Sequence, residues 1–195
     1  MPKIKYGICN VHYALLTFNA ETGAPTFGTV KPLKGARSIS LNPQGEMTKF
    51  FADNIVYWAG NSNSGYSGSL ELALVPDDFK VDVLGYFLDS NGVLIEDADA
   101  PGKPFALLFQ FQNDVNATKH VLYNCTAARP GIEGKTKEEN VEPETESFDI
   151  EAGSVPVTIG TKTYNIPKAS STDTTTAAQV TGWFENVYLP TALPA

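Results

Sequence analysis

Two histidines, two cysteines and a few carboxylate clusters are the groups in this 195-residue chain that could carry chemistry. Hydrolytic triads need a nucleophile beside a histidine, and zinc sites need histidine or cysteine clusters. His12 lies in "NVHYALL", and His120 falls on the outer face of the alternating run "KHVLYNCTA". Neither has a partner in its pattern, so both read as packed or strand-surface imidazoles. Cys125 shares the apolar face of that run with Val121, Tyr123 and Ala127, opposite Leu122, which predicts a core thiol rather than a nucleophile. With Cys9 as the other cysteine, the expectation is two free thiols in a reducing compartment, with a single Cys9–Cys125 bridge as the alternative.

"GKT" at Gly134–Thr136 invites a phosphate-loop reading. That cradle needs a glycine five residues earlier, where Arg129 stands, and a helix after it, where "KEENVEPE" offers no amphipathic pattern. Glu96, Asp97 and Asp99 form an acidic run, as do Asp77 and Asp78. A carboxylate pair could serve a glycosidase, but nothing in the spacing singles one out. "DSNG" (89–92) lacks the ligand series of a calcium loop and reads as a turn. "NAT" (116–118) and "NCT" (124–126) match the glycan acceptor pattern, which carries no weight without a secretion signal. The sequence therefore predicts a protein that is not an enzyme and that holds no cofactor and no metal.

The elements around these residues are mostly strands. "SGSLELALV" puts Leu70, Leu72 and Leu74 on one side and Ser69, Glu71 and Ala73 on the other. "PFALLFQFQ" lines up Phe105, Leu107, Phe109 and Phe111, with Gln110 and Gln112 opposite. "ESFDIEA" buries Phe148 and Ile150 and leaves Ser147, Asp149 and Glu151 outside. "ARSISL" ends at the turn sequence "NPQG"; "MTKFFAD" and "IVYWAG" follow, and "VPVTIG" with "KTYNIP" forms a late hairpin around Gly160. Such a series predicts a mainly β chain, a two-sheet sandwich or barrel, in one domain over 1–195. Two helices flank it. "PDDFKVDVLG" has an acidic start, Phe79 and Val83 four apart, and Gly85 as its stop. The second spans 177–188, with Ala177, Val180, Trp183, Phe184 and Val187 on one stripe and Gly182 inside it.

Net charge is −8 and the pI is about 4.7, which disfavours ordinary nucleic-acid binding. The N-terminus lacks the long apolar core of a signal peptide, and no stretch reaches membrane-spanning length, so the expectation is synthesis and retention in a cytoplasm with no membrane partner. "FFADNIVYWAGNSNSGYSGSLELALVP" (50–76) stands out: two aromatic, β-branched stretches flank a tip of Asn, Ser and Gly without chemistry on it. Its length carries little of the charge or proline that suppresses edge pairing. Either its edges are paired within the chain, or it packs against another copy through Tyr57, Trp58 and Tyr66, residue types favoured at interfaces.

The words "ISLNPQGEMTKFFADNIVYWAGNSNSGYSGSLELALVPDDF", "NGVLIEDADAPGKPFALLFQFQND", "KHVLYNCTAARPGIEGKTKEENVEPETESFDIEA" and "WFENVYLP" together resemble the major tail (tail tube) proteins of long-tailed phages and prophages of Gram-positive bacteria, the phi13-type family. The resemblance runs from about Tyr6 to Pro190, in order. It implies a β-sandwich subunit with a flanking helix. It also implies rings of six copies stacked into a non-contractile tube in the virion tail, made in the bacterial host cytoplasm. Its partners would be itself, tape-measure and tail-completion proteins, with double-stranded DNA passing through unbound. In such tubes subunits lend strands to one inner barrel, and a long hairpin reaches the next ring. On that reading Asn61–Gly68, with Asn61 and Asn63, is the inter-ring tip, and the loop 131–144 is the alternative tip. Four strands from each of six subunits give a barrel of about 24 strands, roughly 50 Å across at ~4.8 Å spacing and ~40° tilt. The remaining bore of about 40 Å passes a duplex roughly 20 Å wide. An acidic or neutral wall would repel phosphate, and Glu71, Asp149 and Glu151 are the candidate wall residues. The segment 153–176 looks like an added hairpin that decorates the tube or alters ring contacts. The competing reading is a virion- or cell-surface β-sandwich module that binds carbohydrate or protein.

Overall fold

The computed structural model describes residues 6–112, 117–132, 134–136 and 143–192. In chain order the strands are β1 (Ile8–Phe18), β2 (Pro25–Phe27), β3 (Lys31–Pro32), β4 (Ala36–Gln44), β5 (Met47–Ala52), β6 (Ile55–Asn61) and β7 (Gly65–Leu72). After helix α1 (Asp77–Val83) come β8 (Phe87–Leu88), β9 (Leu94–Ile95), β10 (Phe105–Phe111), β11 (Lys119–Ala127) and β12 (Glu146–Gly153). The chain ends with β13 (Val155–Ile159), β14 (Lys162–Ile166), β15 (Lys168–Ser170), helix α2 (Ala177–Thr181) and a 3-10 turn over Gly182–Phe184. The expected mainly β chain with two flanking helices is what the molecule has. Among the described residues no helix is long and apolar enough to cross a membrane.

One antiparallel sheet of nine strands forms the body, in the order β2-β1-β10-β11-β12-β7-β4, with β3 also on β1 and β15 also on β11. The hairpins β5–β6, β8–β9 and β13–β14 stand apart from it. β12 pairs with β11 over Asn124–Ala127, and β15 takes its place over His120–Leu122. The sheet curls, so that Cα atoms of β4 return within 8 Å of β1.

The curl encloses the larger core. Tyr13, Leu70, Leu72, Phe105, Leu107, Phe148 and Ile150 point into it, and Phe79 and Val83 of α1 close one end. Phe79 packs edge-on against Tyr13 and Phe105 at ring distances of 5.0 and 5.5 Å. The expected four-residue spacing thus faces the sheet. Gly85, at φ +81°, ends the helix where a side chain would meet Ala100. Phe105, Leu107 and Phe109 share this core as expected, while Ala106 and Leu108 are buried on the opposite face, because β10 is a central strand covered on both sides.

A smaller core covers that second face. Val155, Val157 and Ile159 of β13 pack with Ala106, Leu108, Val121, Tyr123 and Trp183. The late hairpin around Gly160 forms as expected, with Ile159 opposite Lys162. It packs as a layer over β10 and β11.

Four local expectations change. Leu122 and Cys125 lie in the same core, because Phe105 opposes Cys125 and Leu107 opposes Leu122: two steps on β10 match three on β11. That bulge turns Cys125 away from Val121 and Tyr123. Leu74 does not join Leu70 and Leu72; β7 ends at Leu72 and Leu74 is exposed. β4 runs on through Asn42–Gln44 instead of turning at "NPQG", and Pro43 is tolerated because β4 is an edge strand. The C-terminal helix, expected over 177–188, stops at Thr181, with Gly182 as its cap and the 3-10 turn after it. Trp183 still reaches the smaller core.

Candidate assembly interface

β4 and β7 do not end where the sheet ends. Gln44 opposes Gly65 at the last rung of β4–β7, and Met47 opposes Asn61 at the first rung of β5–β6. The two pairs form one ribbon with a joint between them. At the joint Ser64 N–H donates to Gln44 O (2.7 Å), Ser62 N–H donates to Glu46 O (3.1 Å), and Glu46 N–H donates to Ser62 Oγ (3.0 Å). Asn63 Oδ1 accepts from Gly65 N–H (3.1 Å), an Asx-type turn. The polar run 61–68 is therefore the root of the arm and the start of β7, not its tip.

The tip is Asp53–Asn54. Both residues have positive φ (51° and 63°), and Ala52 opposes Ile55 across them. That is the two-residue turn whose twist suits a hairpin, and Asp and Asn are among the residues that tolerate it.

Between root and tip the arm is apolar and bare. Met47, Phe50, Phe51, Ile55, Val56, Tyr57 and Trp58 are each between 48% and 72% exposed. Cross-strand partners share a face, so Phe50–Trp58 occupies one side and Phe51–Val56 the other. A bulge at the Phe50/Phe51 step separates these pairs. The Trp58 indole lies over Gly60, where any side chain would collide with the ring. Neither face is covered by the rest of the described chain. An isolated two-stranded hairpin is marginal in water, and contiguous exposed apolar residues are a general feature of interaction sites.

The expected interface residues divide accordingly. Tyr57, Trp58 and Asn61 lie on the arm, and Asn63 builds its root. Tyr66 is in the sheet, with the Lys168 ammonium 4.6 Å from its ring centre. It lines a cavity of about 370 Å³ with Leu41, Phe109, Phe111 and Lys168. Half of the alternative tip, the loop 131–144, lies outside the described residues, at 133 and 137–142.

Glu71, Asp149 and Glu151 come together on one face of the sheet. Glu71 opposes Ser147 and Ser38, Asp149 opposes Ser69, and Glu151 opposes Ser67 and Thr126. Leu70, Leu72, Phe148 and Ile150 point the other way into the larger core. The open face of β4, β7, β12 and the end of β11 is thus small, polar and acidic. Glu71 accepts from Thr145 Oγ1 (2.6 Å), Ser38 Oγ (2.7 Å) and Arg37 Nη1 (2.7 Å). These hydrogen bonds, with the Arg37 charge, hold its carboxyl below the usual range.

The residues weighed for chemistry have structural surroundings. His12 Nδ1 is 2.9 Å from Asn10 O and its ring packs against Phe184. His120 stacks on Phe109 at 5.1 Å, with Nδ1 2.9 Å from Ser170 Oγ. Cys9 and Cys125 are free thiols, so the alternative of a bridge between them does not hold. Burial pushes the Cys125 thiol far up. Glu96 pairs with Arg129 at 2.9 Å, and Asp97 accepts the Asp99 N–H at 3.0 Å. Among the described residues no three His, Cys, Asp or Glu side chains group to hold a metal ion.

Sequence reasoning missed one part-buried polar group. Tyr13 donates to Asp82 Oδ2 (2.8 Å), which also takes Lys31 Nζ (2.5 Å). Desolvation opposes the Asp82 charge, but the hydrogen bonds from Lys31 and Tyr13 outweigh it and lower the pKa; burial, with Asp82 as neighbour, raises that of Tyr13. These partners lie 51 and 69 residues from Asp82 in sequence, so no local signal marks them. Comparison of the sequence with models of known families and with curated proteins finds no match.

Proposed function

We propose that this chain is the structural subunit of a non-contractile phage tail tube, assembling with copies of itself and performing no reaction. The observation that carries this reading is the arm. Its two apolar faces have no partner among the described residues, and burial at about 25 cal/mol per Å² rewards covering them.

The sheet supports the same reading. β4 is the last strand in the hydrogen-bonded order of the sheet, and the arm extends from it. Four adjacent strands, β4, β7, β12 and β11, present the polar, acidic face. In a ring of six such subunits, joined as one barrel, that face lines the lumen, with Glu71, Asp149 and Glu151 on the wall. Phosphate is then repelled rather than bound, and double-stranded DNA slides through without specific contacts. We read the curled sheet, its covering hairpin and its helices as the sandwich-type tail-tube fold that the sequence resembles. The subunit is then made in the bacterial cytoplasm and carried in the virion tail, beside tape-measure and tail-completion proteins.

Negative-stain microscopy of the purified protein over a concentration series tests this. Rings or tubes of constant diameter, with a central channel near 40 Å by the barrel geometry above, are expected. A strictly monomeric protein at high concentration, even with tail-assembly partners added, would overturn it.

A further inference from the structure

The arm is not the only apolar projection. The hairpin β8–β9 exposes Phe87, Leu88, Val93 and Ile95, with Phe87 opposite Ile95 on one face. Its turn is held firmly: Asp89 Oδ1 accepts the N–H groups of Asn91 and Val93, both at 2.8 Å. The two projections are tied to opposite ends of one strand. The arm joins β7 at Gly65; α1 and then β8 follow its other end, Leu72. Eight residues of strand set these ends roughly 25 Å apart.

We propose that the arm of one copy docks on the β8–β9 hairpin of another, head to tail. This rests on the self-assembly reading above and names the surface that receives the arm. A bilayer is a poor occupant for the arm, because Asp53 and Asn54 stand at its tip and the apolar belt lies behind them. Arm-to-arm pairing is also poorer. It would leave the β8–β9 patch bare. Head-to-tail docking covers both patches with one contact. It also brings Lys49 toward a hairpin flanked by Asp89, Asp97 and Asp99, where Glu96 is already paired with Arg129. At 150–250 Å² per fully buried aromatic side chain, the exposed parts of Phe50, Phe51, Tyr57 and Trp58 supply roughly 500 Å² over the two faces of the arm, a part of the about 800 Å² per partner of a standard interface. A contact between two different surfaces does not close on itself in a pair; it propagates into rings or open stacks.

The test uses two full-length variants. One has a disabled arm (Phe50→Ser with Trp58→Ser), the other a disabled hairpin (Leu88→Glu with Val93→Glu). All four positions are exposed, and circular dichroism and thermal melting check that each variant folds. Sedimentation velocity is then run on wild type, on each variant alone and on an equimolar mixture. Each variant alone should lose the large species. The mixture should form a discrete dimer, since one variant keeps its arm and the other its hairpin. If wild type assembles but the mixture stays monomeric, or if the hairpin variant assembles normally alone, head-to-tail docking is wrong while self-assembly stands. If wild type never assembles, both readings fall together. A hairpin variant that melts below room temperature is replaced by Leu88→Ser alone, and an arm variant by Trp58→Ser alone, each read in the same mixture.

Discussion

Phe50 and Trp58 stand directly opposite one another on a hairpin that forms a two-stranded sheet of its own, and each is more than half exposed. An aromatic cross-strand pair of this kind contributes up to about 1 kcal/mol to its own hairpin. Its larger effect is expected in association. Replacing Trp58 with Ser should leave global stability within about 1 kcal/mol, because no core contact is lost. It should also raise the concentration needed for assembly at least tenfold, the loss expected when an interface aromatic is truncated. Urea denaturation and sedimentation, run on the same sample, check the two halves. A large loss of stability without loss of assembly would mean that the arm serves the fold.

Trp183 provides the contrasting case. It is buried in the smaller core, its ring stacked on Tyr188 at 5.5 Å, and its Nε1–H donates to His120 O at 3.4 Å. Trp183→Ala should cost about 3–5 kcal/mol, measured as a fall in the urea midpoint. The two tryptophans are the only ones in the chain, so fluorescence follows each in turn in the single variants.

These contrasts show which parts of the fold were legible from sequence. Alternation placed Phe148 and Ile150 inside and Asp149 and Glu151 outside, because β12 follows a strict two-residue period beside β7. The strands of the arm were legible from their aromatic and β-branched composition. Its tip was not. "DN" at 53–54 and "NSNS" at 61–64 are both turn signals, and only the register of β4 on β7 decides which one reverses the chain. Cys125 was assigned to the wrong face because a bulge is a property of the pairing with β10, which "KHVLYNCTA" alone does not encode. The Tyr13–Asp82–Lys31 group was hidden for the same reason: it exists only once β1 and α1 meet.

That group makes a stability prediction of its own. Tyr13→Phe keeps the ring against Phe79 and removes the hydroxyl donor, while Asp82 retains Lys31. The expected cost is about 1 kcal/mol, the net value of a typical hydrogen bond. A change near zero in the urea midpoint would show that Lys31 alone satisfies the carboxylate.

The pH dependence follows from opposite shifts. Asp82, Glu71 and Asp89 have folded pKa values below their ordinary ones. A depressed carboxylate contributes stability that is present above its unfolded pKa, about 4, and is lost as pH falls through the folded value. Tyr13, Tyr123 and Cys125 are raised, chiefly by burial. Their contribution is present below the unfolded values, about 8.5 for Cys and 10 for Tyr, and is lost as pH rises through the folded ones. The urea midpoint should therefore be flat from about pH 5 to 8 and fall on both sides. Asp82→Asn should lower the plateau and weaken the acid limb. A midpoint that rises below pH 4 would contradict the assigned directions.

The two thiols should respond to a labelling reagent in sequence. Cys9 is half-buried near the start of β1, its Sγ 3.7 Å from Gln110 Nε2. Cys125 is fully buried, turned inward by the bulge in β11, and its thiol is kept protonated by that burial. The thiolate is the reactive form, so exposure and pKa act together against Cys125. Under native conditions one equivalent of a charged disulfide reagent should react per chain, at Cys9, and the second only when urea unfolds the sheet. Cys9→Ser should then abolish the native reaction, leaving the denatured one intact. Rapid native labelling of Cys125 in that variant would show that β10 and β11 open without global unfolding, and that the bulge is a point of local opening rather than a fixed feature of the core.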